Sequence, residues 1–213
     1  MDEIRKWFWE VRVDEAVKNL VKHGFEANKA SDRLSAVDEI MKRIPPERTV
    51  GTGGSVTLRE IGILDRLRKQ GNLIYDHWTK GMGKEDSLRM RRLQQSSDVF
   101  LTSANAVTLS GEIVSIDGFG NRISSMTFGP KEVIIVAGQN KIVRDVGEGV
   151  NRIKTWAAPM NAKRFGADTP CARLGRCTDC DSAERICRGI LIMERRPFAT
   201  PTLVVIVMED LGY

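Results

Sequence analysis

Gly129-Pro-Lys-Glu-Val-Ile-Ile-Val-Ala-Gly-Gln-Asn-Lys141 is the stretch that decides the fold. A Gly-Pro turn introduces an unbroken apolar run, Val133 to Ala137, rich in the β-branched residues that suit a pleated strand. The run is strand-sized, far short of the roughly 20 residues that span a bilayer. Gly138 then hands the chain to polar Gln139-Asn140-Lys141, at the carboxyl end of the strand, where ligands sit in open α/β sheets. Lys141 is therefore a candidate anion contact, with Asn140 beside it.

Working outward, further short apolar strands are expected near 49–52, 72–76, 98–102 and 131–137. They alternate with helical patterns over about Ser55 to Gln70, Lys84 to Ser96 and Asp145 to Ala162. That alternation is the sequence form of a mostly parallel sheet flanked by helices, so the fold class is α/β. Ala104 to Thr108 and Glu112 to Asp117 flank Leu109-Ser110-Gly111 like the arms of a hairpin inserted in the sheet. Two last strands, Ile190 to Glu194 and Thr202 to Met208, close the chain around residues 195–201.

Residues 2–43 read as helices: Ile4, Phe8, Val11, Val17, Leu20 and Val21 recur at three-or-four spacing, and Leu34, Val37, Ile40, Met41 and Ile44 repeat it. Pro45-Pro46 ends this segment. The expected organisation is an N-terminal helical segment at 1–46 and an α/β domain at 47–213 that carries a cysteine-rich loop at 169–189. Trp7 and Trp9 fall on different sides of the first helix, so one of them is free to cover another domain or subunit, although ordinary core packing is the favoured reading.

The 213 residues, 41% of them hydrophobic, suffice for a buried core and exclude intrinsic disorder. The net charge of +5 arises from 33 basic and 28 acidic residues interspersed along the chain, without the basic stripe a phosphate backbone demands, so nucleic acid is not an expected partner. The surplus suits local basic sites for a small anionic ligand. Asp2, Glu3, Arg5, Lys6 and Glu10 interrupt the N-terminal apolar residues, unlike a secretory signal, and no run is long enough for membrane insertion. A cytoplasmic protein is expected.

All four cysteines gather at Cys171, Cys177, Cys180 and Cys187, spaced C-x5-C-x2-C-x6-C. Soft thiolates on a short irregular loop converge on zinc or an iron-sulfur cluster. Disulfides are the competing explanation, a weak one in a reducing cytosol. Only Cys177 and Cys180 have the short knuckle spacing. The longer gaps suit a larger cluster, such as a 4Fe-4S cluster, and are also within reach of a zinc loop, so both metals stand. Arg173, Arg176, Arg185 and Arg188 would offset the thiolate charge, or form a solvated loop balanced by Asp179, Asp181 and Glu184. Four protein ligands on one centre leave no open position for substrate, which points to electron transfer or structure.

Thr52-Gly53-Gly54-Ser55 follows a strand and opens a helix, so its backbone N–H groups are placed to cradle an anion, or Ser55 simply caps the helix. Asp117-Gly118-Phe119-Gly120-Asn121-Arg122 is a polar tight turn that lets a ligand approach the backbone, with Arg122 as a bidentate anion contact. Glu112 precedes that turn, either as a solvent-facing strand residue, which the sequence favours, or as a carboxylate in a cleft. His23 and His77 lie far apart and read as surface or structural residues; no catalytic residue is assigned.

These segments resemble the LUD-domain family of lactate-utilisation proteins, typified by lactate-utilisation protein C. The resemblance is carried by Gly51-Thr-Gly-Gly-Ser-Val-Thr-Leu58, Asn105-Ala106, Gly111-Glu112, Asp117-Gly-Phe-Gly-Asn-Arg122, Phe128-Gly-Pro-Lys131 and Gly138-Gln-Asn-Lys141. It continues through Ala158-Pro159 and Thr169-Pro170-Cys171 into the cysteine loop, where Leu174 and Ala183 depart from the usual pattern of cysteine-rich members without removing a ligand. The resemblance implies a fold like that of sugar-phosphate isomerases and CoA transferases, and a link to oxidation of L-lactate to pyruvate beside iron-sulfur partners. CoA transferases of this fold use a glutamate nucleophile, but no CoA-transferase motif surrounds Glu112. Three functions compete: a homo-oligomeric redox-associated component carrying an iron-sulfur cluster, a zinc-stapled module that binds or transfers an acyl, nucleotide or sugar-phosphate ligand, and a non-enzymatic assembly protein.

Overall fold

The apolar run from Val133 to Ala137 lies inside a six-stranded sheet, paired in parallel on both sides. In the computed structural model, which describes residues 2–213, the chain opens with α1 (Glu3–Lys22), β1 (Glu26–Ala30) and α2 (Arg33–Arg43). Next come β2 (Val50–Thr52), α3 (Val56–Glu60), α4 (Ile63–Gln70), β3 (Ile74–Asp76), α5 (Lys84–Gln94) and β4 (Val99–Thr102). The hairpin strands β5 (Ala106–Thr108) and β6 (Ile113–Asp117) lead into α6 (Asn121–Thr127), β7 (Glu132–Gly138) and β8 (Ile142–Val143). The chain ends with α7 (Val146–Arg152), α8 (Ala158–Phe165), α9 (Pro170–Leu174), β9 (Gly189–Met193) and β10 (Thr202–Val207).

The main sheet has the order β1-β10-β7-β4-β2-β3 and every pairing in it is parallel. Side chains alternate across a strand, so its two faces feed two cores. Ile134 and Val136 pack with Leu101, Val205 and residues of α2, α3 and α4 such as Ile40, Leu58 and Leu67. Val133, Ile135 and Ala137 pack on the opposite side with Phe100, Met126 and the inner face of α1, including Val13 and Leu20.

Four expectations change. The first concerns residues 2–43, which are not helical throughout: β1 pairs with β10 from Glu26↔Leu203 to Ala30↔Val207 and forms one edge of the main sheet. Glu-Ala-Asn-Lys-Ala buries only its two alanines, so an edge strand with one solvated side left almost no apolar signal. The second is the helix expected over 55–70, which divides at Gly62, whose φ of 73° is a left-handed conformation that ends α3 and starts α4 anew. Similarly, the 145–162 helix contains a π-helical turn at Ile153–Ala157 between α7 and α8.

The third is the hairpin, which forms in the expected antiparallel register but lies outside the main sheet, in a second sheet ordered β8-β5-β6-β9. Its inner face closes one core, while Ala106, Val114 and Ile116 meet α7 and α8 in a third cluster with Val143 and Ile153. The last two strands do not close on each other, which is the fourth change. β9 joins β6 in the second sheet, and β10 lies between β1 and β7 in the first. The connection between them therefore carries the chain from one sheet to the other. α1 reaches the hairpin through Asn19 Nδ2, which donates to Leu109 O at 2.7 Å. Trp9 packs against the core while Trp7 is exposed.

Candidate functional site

From β2 the chain moves outward to β3, at the sheet edge, and returns on the other side of β2 as β4, so strand order reverses at β2. Such a reversal leaves a crevice at the carboxyl ends of the two diverging strands. A cavity of about 440 Å³ opens there, lined by the residues after β2 (Gly54, Ser55, Thr57) and those after β4 (Ser103, Ala104, Asn105). The Asp117-Gly118 turn, Lys141, α8 and the segment from Ala183 to Arg188 complete the wall.

Gly54, Ser55, Asp117, Gly118, Asn121, Arg122 and Lys141 thus come together at one cavity from three separate stretches of sequence. Gly53, Gly120 and Asn140 do not line it. Gly53 donates its N–H to Leu101 O, Gly120 precedes α6 in a left-handed conformation, and Asn140 Oδ1 accepts from Leu211 N at 3.1 Å. Ser55 acts as a helix cap, its Oγ accepting from Leu58 N at 3.2 Å. Asp117 is committed to the backbone as well: Oδ1 accepts from Phe119 N, and Oδ2 accepts from Arg122 N and Ile123 N. It shapes the turn and caps α6.

Two cations remain, Arg122 half-buried and Lys141 buried. Arg122 donates through Nη2 to Asn105 Oδ1 (2.8 Å) and Ile116 O (2.6 Å), and through Nη1 to Ser103 O (3.0 Å), all neutral acceptors. Burial lowers its pKa, with Asp117 opposing. Lys141 is only 3% exposed, and its Nζ donates to Thr57 Oγ1 at 2.8 Å and Ser103 Oγ at 2.9 Å. Burial, reinforced by Arg152 and Arg122, pulls the Lys141 pKa down to about 7. Cations sheltered from solvent without carboxylate partners leave a positive potential in the cavity, which an anion would neutralise.

The rim adds Trp78, which the sequence reading did not single out, and His77, which it read as a surface or structural residue and which lines the cavity. His77 Nδ1 lies 2.8 Å from Gln94 Nε2, and burial, then Arg91, lowers its pKa to about 4. The Trp78 indole carries the Arg59 guanidinium 4.8 Å and the Arg164 guanidinium 4.1 Å from its ring centroid. Both residues follow β3, and the carboxyl-end reasoning that selected Lys141 finds them when applied to the strand at 72–76. Glu112 stays in the hairpin, bonded to Thr108 and, at 2.7 Å, to Ser110, and does not reach the cavity. His23 is structural, its Nδ1 3.1 Å from Gly111 O.

The four cysteines line a second, small cavity of about 20 Å³. Thr169 Oγ1 and Cys171 Sγ are 3.3 Å apart, and Asp179 N donates to Cys177 Sγ at 3.3 Å. Arg185 braces the loop by donating to Cys180 O (2.7 Å) and Cys187 O (2.9 Å), and to Asp179 Oδ1. Burial raises the Cys187 pKa, and Cys177, Cys171 and Cys180 push it further, a repulsion that a cation between the sulfurs would relieve. The donor chemistry fits a four-thiolate centre, although among the described residues no three His, Cys, Asp or Glu side chains are drawn together as a coordination set. Arg185, Ile186 and Cys187 line both cavities, so the two sites share a wall.

Comparison with known proteins bears on the family and the fold. The LUD domain profile matches residues 13–208, nearly the whole chain. The chain belongs to the LUD-domain family. The match begins inside α1, so the family domain includes β1 and α2, which precede the boundary expected at residue 47. The LUD fold is supported by the crystal structure at 1.70 Å of a DUF162 family protein from Deinococcus radiodurans, with 15% identity and a TM-score of 0.51 over 93% of this chain and 98% of that one. No curated protein matches the sequence. Among the described residues, no helix of this LUD protein is long and apolar enough to cross a membrane.

Proposed function

We propose that this LUD-domain protein is a redox-associated component of L-lactate oxidation to pyruvate, binding a small carboxylate in the main cavity beside an iron-sulfur cluster on Cys171, Cys177, Cys180 and Cys187. The observation that carries the reading is the shared wall: Arg185, Ile186 and Cys187 touch both cavities, so a ligand in one lies against the ligand loop of the other. A bound cluster of this kind supplies one-electron transfer. The chain's own residues do the rest. Lys141 and Arg122 attract the carboxylate, the 117–122 turn fixes the cavity mouth, and Arg185 holds the loop closed over its thiols. We place the protein in the cytoplasm, as a homo-oligomer working with iron-sulfur partners. The exposed α1 residues Ile4, Trp7 and Phe8 offer an apolar contact surface.

A zinc-stapled binding or transfer module is the second reading, and the size of the thiol cavity favours it: about 20 Å³ is room for a single ion. Iron, zinc and acid-labile sulfide per chain, measured on anaerobically purified protein beside Cys177→Ser, separate the two. Near-stoichiometric iron and sulfide, lost in the variant, is the expected result; full zinc without sulfide sinks the redox role and leaves the loop structural.

A further inference from the structure

The amine of Lys141 is placed for more than attraction. It has no salt-bridge partner among the described residues and lines the main cavity, which makes it a buried nucleophile in reach of a ligand. Its two hydrogen-bond partners are hydroxyls, Thr57 Oγ1 and Ser103 Oγ. A neutral amine has two N–H donors and one lone pair; with both donors engaged by these hydroxyls, the lone pair is the group left over. The opposite side is closed by the C-terminal segment, since a Cβ on Gly212 would lie 3.3 Å from Lys141 Nζ.

The charged groups around it favour the neutral amine. Arg152, from α7, and Arg122, from α6, act against protonation, and Glu60, at the end of α3, acts for it. Glu60 is itself engaged by the C-terminal segment, its Oε2 accepting from Gly212 N at 2.6 Å. Arg122, which lines the cavity, also leaves positive charge beside the amine, suited to a carboxylate attached to the reacting carbon. Neutral amine and adjacent guanidinium together select a carbonyl compound that is also an acid.

We propose that Lys141 captures the carbonyl of a 2-oxo acid: its Nζ adds to the carbonyl carbon, a C=N bond replaces the C=O bond, and the oxygen departs as water with the two amine protons. No oxidant or reductant enters this step. The hydroxyls of Thr57 and Ser103 are positioned to pass protons between the nitrogen and the departing oxygen. This inference rests on the reading of the main cavity as a carboxylate site and adds covalent chemistry to it.

Glyoxylate with cyanoborohydride tests the step on the intact wild-type protein, because reduction fixes the imine as a carboxymethyl group on the reacting lysine. At neutral pH an ordinary lysine is deprotonated about a thousandfold less than one titrating near 7, so one residue should dominate. The expected result is one adduct per chain, mapped to Lys141 by peptide mass spectrometry and absent in Lys141→Arg. The wild-type map assigns the site even if the variant fails to fold. Oxalate, which is an anion without an electrophilic aldehyde, is assayed in parallel by thermal shift. Oxalate stabilisation with no Lys141 adduct overturns the imine and leaves the carboxylate cavity standing; neither signal removes both; adducts spread over surface lysines overturn the imine.

Discussion

Gly118 presses against the backbone of Ile186 so closely that a Cβ on Gly118 would lie 2.9 Å from the Ile186 carbonyl oxygen. Through this contact the turn that shapes the main cavity meets the loop that carries the cysteines, and Arg188 N donating to Asp117 O at 3.0 Å fastens the junction. Gly118→Ala should force the two apart by a few tenths of an ångström. On the proposed function, the expected outcome is loss of metal from the loop and weaker binding of carboxylates together, with thermal stability lowered by only about 1–2 kcal/mol. Metal content and ligand-dependent thermal shifts on the same preparation check it; a change in one alone would mean that the two sites are not mechanically joined.

Lys141 should make stability rise with pH. Its folded pKa is about 7, against an ordinary 10.5, so between those values the unfolded chain holds more protons than the folded one. Stability increases with pH wherever that is so, by up to about 1.4 kcal/mol per pH unit for one proton. The penalty for burying the charge is full below about pH 7 and is relieved as pH rises. Urea midpoints between about pH 6 and pH 9 should climb more steeply in wild type than in Lys141→Met. Parallel slopes would show that Lys141 keeps an ordinary pKa in the folded chain.

The parts of this architecture that the sequence exposed were those with strong local signals. Val133 to Ala137 is buried and β-branched, and Gly138 ends it, so β7 and the position of Lys141 were both legible. β1 was not, because an edge strand of Glu, Asn, Lys and two alanines has no apolar run to read. Nor could spacing reveal that β9 and β10 belong to different sheets, since which strands pair is decided by packing between distant segments. The same limit explains the site. Arg122 and Lys141 were visible as isolated polar residues after turns or strands, but Thr57, Ser103 and Trp78 gain meaning only when the strand order places their loops side by side.

Asp76 gathers the rim of the cavity. It is buried at the end of β3 and accepts from Arg59 Nη2 at 3.0 Å, Arg68 Nη2 at 3.0 Å and Trp78 N at 3.0 Å. Both guanidiniums are partly solvated, which discounts the loss from breaking these pairs. Asp76→Asn should cost about 1–3 kcal/mol and free Arg59 from its place over Trp78. Chemical denaturation gives the first quantity, and the emission of Trp78, isolated by replacing the other tryptophans with phenylalanine, reports the second. Unchanged stability would mean that the neutral amide holds the rim as well as the carboxylate does.

Arg185 offers the most direct separation of loop architecture from thiol chemistry, because it braces the cysteine loop without contributing a sulfur. Its guanidinium donates to Cys180 O and Cys187 O, two carbonyls on either side of its own position, and also meets Asp179, whose φ of 49° marks a left-handed backbone turn between the knuckle cysteines. Lysine at this position retains the charge but has one nitrogen, which cannot span acceptors that a planar fork reaches from two sides. Arg185→Lys should therefore leave the number of bound metal ions unchanged at saturation and speed their loss to a chelator, by about tenfold, the low end of effects seen for supporting contacts around metal ligands. Arg185→Ala, which removes charge and brace together, should be faster still. The sulfurs are untouched in both variants, so chelator kinetics followed by metal analysis measure the contribution of the brace alone. Equal rates in wild type and Arg185→Lys would assign loop closure to the cysteines and the metal proposed for them, with the arginine serving only the cavity on the other side of the wall.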